Sequence, residues 1–160
     1  MERADGISGL VAQAGERLVG FVCWRMSAEE DEGLLAPQLC GSVVSRTVAY
    51  VLTLGVDQAW RRAGVASELL RRMKCLHCLG TSLLWLHVLD SNDTALRFYQ
   101  RCGFAVARRE SDFYLIGGRR EDAYALCHFM NGGRPPLSCE WLLLAARRRF
   151  RALFWAKGAD

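Results

Sequence analysis

Hydrophobic positions along the chain recur with two periods, and the periods alternate. Residues 10–14 and 17–26 are apolar runs parted by Gly15-Glu16 and predict a β-hairpin. The acidic stretch 27–33 and the Pro37-containing segment after it predict a loop. Residues 46–56 predict the next strand. Residues 61–79 place Val65, Leu69, Leu70, Met73 and Leu76 on one stripe, as a surface helix does. Beyond it, 82–89 predicts a strand, 93–101 a short helix ended by Gly103, and 104–108 and 124–130 two further strands. The run Asn131-Gly132-Gly133-Arg134-Pro135-Pro136 then stops regular structure.

Strand 46–56, helix 61–79 and strand 82–89 make a βαβ unit, which is parallel and right-handed. Both strands end on the sheet edge where the helix begins, so a ligand belongs at their carboxyl ends. The expected architecture is an α/β sandwich with a mixed sheet. Gly55, inside a strand, marks either a bulge or a close approach by another chain or ligand. At the helix start, Arg61-x-x-Gly64-x-Ala66 has the form of an anion cradle. Unpaired first-turn amides and the positive end of the helix dipole favour an anion there, and Gly64 and Ala66 leave it room to approach. Small residues also open helices for packing alone, so the motif acquires meaning from the buried strand before it.

Composition narrows the picture modestly. A chain of 160 residues, 51% apolar and 24% charged, suits one domain with a real core. A net charge of +4 fits an anionic cofactor or membrane surface as well as nucleic acid. Seven cysteines are an odd number without a regular framework, and residues 1–15 carry no signal-peptide pattern, which together point to reduced thiols facing the cytosol. Cys75-x-x-Cys78, with His77 between, could mark zinc or redox chemistry. Its position late in a helix, without a second Cys or His pair at finger spacing, favours thiols that pack, and no metal is expected. No run reaches transmembrane length.

Residues 138–157 are a separate signal. Trp141, Leu142, Leu143, Leu144, Leu153, Phe154 and Trp155 are interleaved with Arg147, Arg148, Arg149 and Arg151. A helix of this kind suits an anionic membrane interface, with aromatics at headgroup depth and arginines on phosphates. The alternatives are a helix docked on its own domain or an Arg-rich patch for nucleic acid; the aromatics beside the charges favour the membrane, and no nucleic acid is expected.

By this point the motifs carry a family resemblance. Leu52-Thr53-Leu54-Gly55-Val56, Arg61-Arg62-Ala63-Gly64-Val65-Ala66, Leu86-His87-Val88, Asn92-Asp93-Thr94-Ala95 and Phe98-Tyr99-Gln100-Arg101-Cys102-Gly103-Phe104 occur in the order and spacing of the GCN5-related N-acetyltransferase (GNAT) family. Ala49-Tyr50-Val51-Leu52, Leu86-His87-Val88-Leu89 and the 130–136 tail are most similar to its Golgi-associated protein N-terminal acetyltransferases, the NatF type. The resemblance spans roughly residues 15 to 136 and implies a three-layer α/β sandwich whose mixed, largely antiparallel sheet has one central parallel pair. It implies a domain over 1–136 and a basic amphipathic helix over 137–160.

The same resemblance implies roles. Main-chain groups at Leu54, Gly55 and Val56 would pair with the pantetheine arm of acetyl-CoA, and Arg62, Ala63, Gly64, Val65, Ala66 and Ser67 would hold its pyrophosphate. Asn92, Tyr99, Gln100, Arg101 and Cys102 would line the cofactor's far side. Tyr50 and His87 match the pair that handles protons, and Leu52 and Tyr114 match positions touching the substrate's first residues. The implied partners are protein N-termini beginning with Met and a hydrophobic or similar residue, and an anionic membrane at the cytosolic face of the Golgi. Transfer to lysine, as on histone tails, and an acetyl-CoA-binding module with weak activity are the alternatives. The family also places a strand and one or two helices before the hairpin, for which residues 1–9 leave no room, so an N-terminally short domain with an unpaired sheet edge is expected.

Chemistry asks for such a pair independently. An α-amino group, with a pKa of about 7.7 to 8.0, arrives mostly as ammonium and must lose a proton before it can attack a thioester. An imidazole, with an ordinary pKa of about 6.5, can accept that proton directly or through water, and a phenol can relay it. Without the family pattern, His87 reads as a hydrogen-bonded core residue and Tyr50 and Tyr99 as packing, while Asn92 is a helix cap as readily as a ligand contact.

Overall fold

The structure is a computed structural model and describes residues 6–28, 47–77 and 80–131. The expected acidic loop beyond Ala28, Cys78, and the tail with its amphipathic segment lie outside the described residues. Strands β1 (Ile7–Ala14) and β2 (Arg17–Ala28) form the hairpin, turning at Gly15 with φ of 62°. Then follow β3 (Thr47–Val56), a 3-10 turn (Gln58–Trp60), helix α1 (Val65–Leu76), β4 (Thr81–Leu89), helix α2 (Asp93–Arg101), β5 (Ala105–Ile116) and β6 (Arg119–Phe129). The six strands lie in the order β1-β2-β3-β4-β6-β5. Every neighbouring pair is antiparallel except β3 and β4 at the centre, as the mixed-sheet expectation requires. Among the described residues β1 is an edge strand, paired with β2 alone.

Both helices cover one face. Val22, Trp24, Ala49, Val51, Leu84, Leu86 and Val88 pack beneath Leu69, Leu70 and Met73 of α1, with Leu96, Phe98 and Tyr99 of α2 at the margin. Each fully buried Leu or Met contributes about 1.5–3 kcal/mol of transfer free energy, so this face supplies most of the described core. Lys74 ties the helices together: its ammonium donates to the Cys102 carbonyl at the end of α2 and lies 5.0 Å from the Phe104 ring centre. The opposite face carries Val48, Leu83, Trp85, Ala107 and Cys127. Buried on both faces, β4 reads as a nearly continuous apolar run.

Three expectations change. Helix α1 opens at Val65 rather than Arg61, because Asp57 caps the 3-10 turn through the Ala59 N–H at 2.9 Å and because Arg62 and Gly64 take φ of 64° and 85°, outside helical backbone. Leu76, placed on the buried stripe, is 62% exposed at the helix end. Strand β5 runs on to Ile116 and β6 begins at Arg119, so the final hairpin is much longer than 104–108 and 124–130. Its outer half is exposed on both faces, which removes the apolar alternation that reveals a strand.

What positions the site is an irregularity in β3. Against β2 the register passes from Trp24↔Val51 to Cys23↔Thr53, leaving Leu52 as a bulge. Pairing of β3 with β4 ends at Tyr50↔Trp85, and past that point the parallel strands separate. Gly55 is therefore not the bulge; the close approach it permits is that of a side chain. A Cβ there would stand 2.7 Å from Cε1 of Phe21, whose ring lies across the glycine from the paired strand. Gly55→Ala is expected to destabilise the fold by about 1–3 kcal/mol in urea denaturation, with Phe21→Leu in the same chain restoring most of the loss. An unchanged midpoint for the single variant would show that Phe21 moves aside freely.

Candidate active site

Where β3 and β4 part, a cleft of about 270 Å³ opens between Val51, Leu52, Thr53 and Leu54 on one strand and Leu86, His87, Val88 and Leu89 on the other. Its helix side is closed by Asn92, Ala95 and Tyr99, and its other side by Tyr114 and Ile116 of β5. The gap joins the two faces of the sheet. Tyr99 belongs to the helix-covered core, whereas Tyr50 packs with Trp85 on the opposite face, where His87 follows two residues on.

Tyr50 and His87 meet as expected. The Tyr50 hydroxyl lies 3.0 Å from His87 Nδ1, while Nε2 is buried without a partner among the described residues. For Nε2 to accept a proton, Nδ1 must carry the ring hydrogen and donate it to the tyrosine oxygen. Trp85 packs edge-on at 5.4 Å between centroids, and Phe113 stacks on the imidazole at 3.8 Å and 21°. Burial pushes the His87 pKa down to about 4, with Glu110 opposing and Arg108 reinforcing the shift. At neutral pH the ring is an uncharged acceptor. Tyr99 is pushed the other way, to about 12, by burial first and by its neighbours Cys102 and Tyr114 after that. It stays a phenol with a proton to give. Burial also raises Tyr114.

The remaining expected residues are divided between two places. Leu52, the bulge, is 41% exposed and lines the cleft with Leu54, Asn92, Tyr99 and Tyr114. Asn92 also caps α2, its side-chain oxygen accepting from the Ala95 N–H at 3.0 Å, as its helix-cap reading expects. Gln100, Arg101 and Cys102 fall in the last turn and cap of α2, outside the cleft lining. Arg62, Ala63, Gly64, Val65, Ala66 and Ser67 form the approach to α1 and its first turn. Positive φ at Arg62 and Gly64, either side of Ala63, is the backbone of an anion nest. The first intrahelical bond runs from the Glu68 N–H to Gly64 at 3.0 Å, which leaves the amides of Val65, Ala66 and Ser67 to outside partners. A Cβ at Gly64 would meet nothing within 4 Å, so the space over the cradle is open. Arg61, the first residue of the cradle motif, turns back and donates to the Val56 carbonyl at 3.3 Å.

Sequence reasoning missed Trp85, Ala95, Ile116 and the role of Phe113. The spacing Trp85-x-His87, which places both rings on one strand face, could have drawn attention to the first. Cys23, Cys75, Cys102 and Cys127 form no disulfide, and no group of metal-ligating side chains occurs, among the described residues.

A parallel pair splayed at the sheet centre, an anion nest at the following helix, and a tyrosine–histidine pair across the gap define a class, and the acetyltransferase (GNAT) family model matches residues 1–104. The chain belongs to that family. It is 37% identical over 137 residues to N-alpha-acetyltransferase 60 of Xenopus tropicalis, covering 79% of this chain and 55% of that protein. It is 33% identical over 129 residues to histone acetyltransferase MCC1 of Arabidopsis thaliana, covering 77% and 51%. The chain thus spans about half the length of these relatives. Among solved structures, Arabidopsis thaliana NAA60 in complex with acetyl-CoA aligns with a TM-score of 0.70 at 29% identity, over 79% of this chain and 77% of that one. The same protein in complex with a bisubstrate analogue aligns at 0.71 and 29%, over 79% and 76%.

The His87 shift has a thermodynamic consequence. With a folded-state pKa near 4 against an ordinary 6.5, the unfolded chain binds a proton at this residue in the intervening window and the folded chain does not. Stability therefore falls as pH drops from 6.5 towards 4. Denaturation of the wild type and of His87→Asn across that window is expected to show the smaller loss in the variant. Equal losses would mean that His87 titrates alike in both states.

Proposed function

We propose that this chain is an acetyl-CoA-dependent protein N-α-acetyltransferase whose acceptors are free α-amines of N-termini beginning with Met and a hydrophobic or similar residue. The observation that carries the reading is the edge of β3 left open beyond Tyr50, bordered by His87 and Tyr99 and followed by the anion nest of α1. An extended amide-bearing arm pairs with an open strand edge as another strand does, which suits Leu54, Gly55 and Val56 to pantetheine. A pyrophosphate suits the Arg62 to Ser67 backbone at the helix start, where unpaired amides converge and the approach over Gly64 is unobstructed.

Acetyl-CoA supplies a thioester carbonyl open to direct attack. The chain's own residues manage protons and charge. A weak base with a pKa near 4 gains little by deprotonating a free ammonium, so the acceptor enters through its neutral fraction, about one part in ten at pH 7. Once the N–C bond begins to form, the nitrogen becomes strongly acidic, and His87 Nε2, held by Tyr50, takes the proton directly or through a water. Main-chain groups that β3 leaves unpaired beside His87, past Tyr50, are the donors placed to polarise the carbonyl. Tyr99, on the helix side, protonates the departing thiolate, and its pKa near 12 keeps that proton in place until then. Leu52 and Tyr114 face the first residues of the peptide.

A second reading, transfer to a lysine side chain, draws support from the relative named as a histone acetyltransferase. A lysine amine, with a pKa of about 10.4, would present far less neutral nucleophile to so weak a base, which favours the α-amine. The reading includes attachment through residues 137–160 to an anionic membrane, on the strength of the Trp, Leu and Arg content there, and the resemblance to NatF-type enzymes implies the cytosolic face of the Golgi.

Incubation with acetyl-CoA and a panel of free and N-blocked peptides, read by mass, is expected to add one acetyl group to free Met-hydrophobic N-termini. Addition only to lysines of blocked peptides would transfer the assignment to the second reading, and no addition would end both. In active protein, the rising limb of kcat/KM against pH follows the peptide's amine pKa rather than a midpoint near 4 or 6.5, and Tyr99→Phe lowers kcat by about 10²-fold; a limb that ignores the choice of peptide contradicts the proton scheme. Sedimentation with phosphatidylserine liposomes is expected to depend on residues 138–160, and equal sedimentation after their deletion refutes the membrane attachment.

A further inference from the structure

The β5–β6 hairpin contains an irregularity that acyl transfer does not by itself require. Its register passes from Glu110↔Ala123 to Tyr114↔Glu121, so Ser111, Asp112 and Phe113 stand opposite Asp122 alone. Asp112 takes φ of 55°, which needs support from outside its own strand. Asp122 gives that support. Its Oδ1 accepts the Asp112 N–H at 2.9 Å and its Oδ2 pairs with Arg109 at 2.8 Å, while Arg109 also reaches Asp90 at 2.8 Å. The Asp122 carbonyl accepts the Asp90 N–H at 3.0 Å, tying the bulge to the end of β4, and the Asp112 carbonyl accepts from Arg120 at 3.3 Å.

The product of this bracing is the position of Phe113. Phe113 is 40% exposed and its ring stacks at 3.8 Å on His87, so it covers the imidazole rather than filling the core. Regular pairing would set one residue, not three, opposite Asp122, and the ring would not arrive there. The ion pair with Arg109 is largely exposed and contributes little on its own, so the acceptor bond to the Asp112 amide is the part that matters.

We propose that Asp122 is a positioning residue: by holding the Asp112 amide it fixes the β5 bulge that lays Phe113 over one face of His87 and shuts water from it. Its effect on rate rests on the acyl-transfer reading; its effect on the ring does not. Tyr50 on β3 and the Arg108–Glu110 pair on β5 also face His87, and both remain in the variants below. Ala125, its neighbour on β6, does not titrate.

NMR titration of the His87 ring, assigned with His87→Asn, provides a test that reads no turnover. Phe113→Ala and Asp122→Ala are each expected to raise the His87 midpoint by about one pH unit or more towards 6.5, as water reaches the ring. The double variant goes no further than Phe113→Ala, because one residue acts through the other. Asp122→Asn keeps an acceptor oxygen for the Asp112 amide and stays near the wild type. Should Asp122→Ala fail to fold, deletion of Ser111 and Asp112, which restores regular pairing, carries the same expectation. An unmoved midpoint in folded Asp122→Ala or in the deletion, or a double variant shifted beyond Phe113→Ala, overturns the proposal. An acetyltransferase that is active yet shows that unmoved midpoint loses the positioning role alone, whereas shifted midpoints in a protein without transfer leave it standing.

Discussion

The site depends on one backbone event, the separation of β3 from β4 after Tyr50↔Trp85. Central parallel strands rarely part, because each lost ladder bond leaves a donor and an acceptor that need another partner. Here the Leu52 bulge turns β3 while its pairing with β2 continues to Val56. The separation is therefore confined to one side of one strand. It opens a sheet whose central strand β4 is otherwise buried on both faces, and it offers unpaired main-chain groups where the walls of the gap carry titratable side chains. Neither effect would follow from a surface groove on an intact sheet.

The same burial that makes the core governs the protons of the site. Desolvation holds His87 uncharged and Tyr99 protonated, shifting the two pKa values in opposite directions away from neutrality. At rest the pair carries no net charge across the gap. Positive potential belongs instead to the start of α1, at the far end of β3, where amides and helix dipole converge. An elongated ligand with an anionic tail and a neutral reactive head matches that distribution, and the match follows from the order strand, nest and helix along the chain.

Much of this was legible in the sequence for physical reasons. The βαβ core announces itself because β4 is apolar throughout and α1 has a clean stripe, so residues 47–56, 65–76 and 81–89 emerged with errors confined to their ends. Tyr50 and His87 did not stand out as a pair from periodicity, since they lie 37 residues apart and are joined only by parallel pairing; the family pattern brought them forward. The long β5–β6 hairpin was hidden by its exposure, because charged residues on both faces erase the period of two. The bulge at Leu52 was sought at Gly55 for a related reason: a glycine in a strand signals close approach, and here the approaching group is the Phe21 ring.

On the proposed function, chemistry and selectivity would thus be borne by parts of unequal rigidity. Tyr50, His87 and Tyr99 project from elements anchored in the helix-covered core or the sheet centre, where moving one side chain disturbs many. Tyr114 and Ile116 hang from a hairpin whose outer half is exposed and whose irregular turn of backbone is held by a handful of polar contacts around Asp122. On the proposed function, changes in that hairpin would alter which acceptor is admitted at small cost to the fold, whereas changes at the splay would remove the reaction itself. Phe113 is the exception, since it belongs to the pliant hairpin yet touches the base at the rigid centre. Through that contact, on the proposed function, a change of acceptor preference made in the hairpin would also change the basicity of His87.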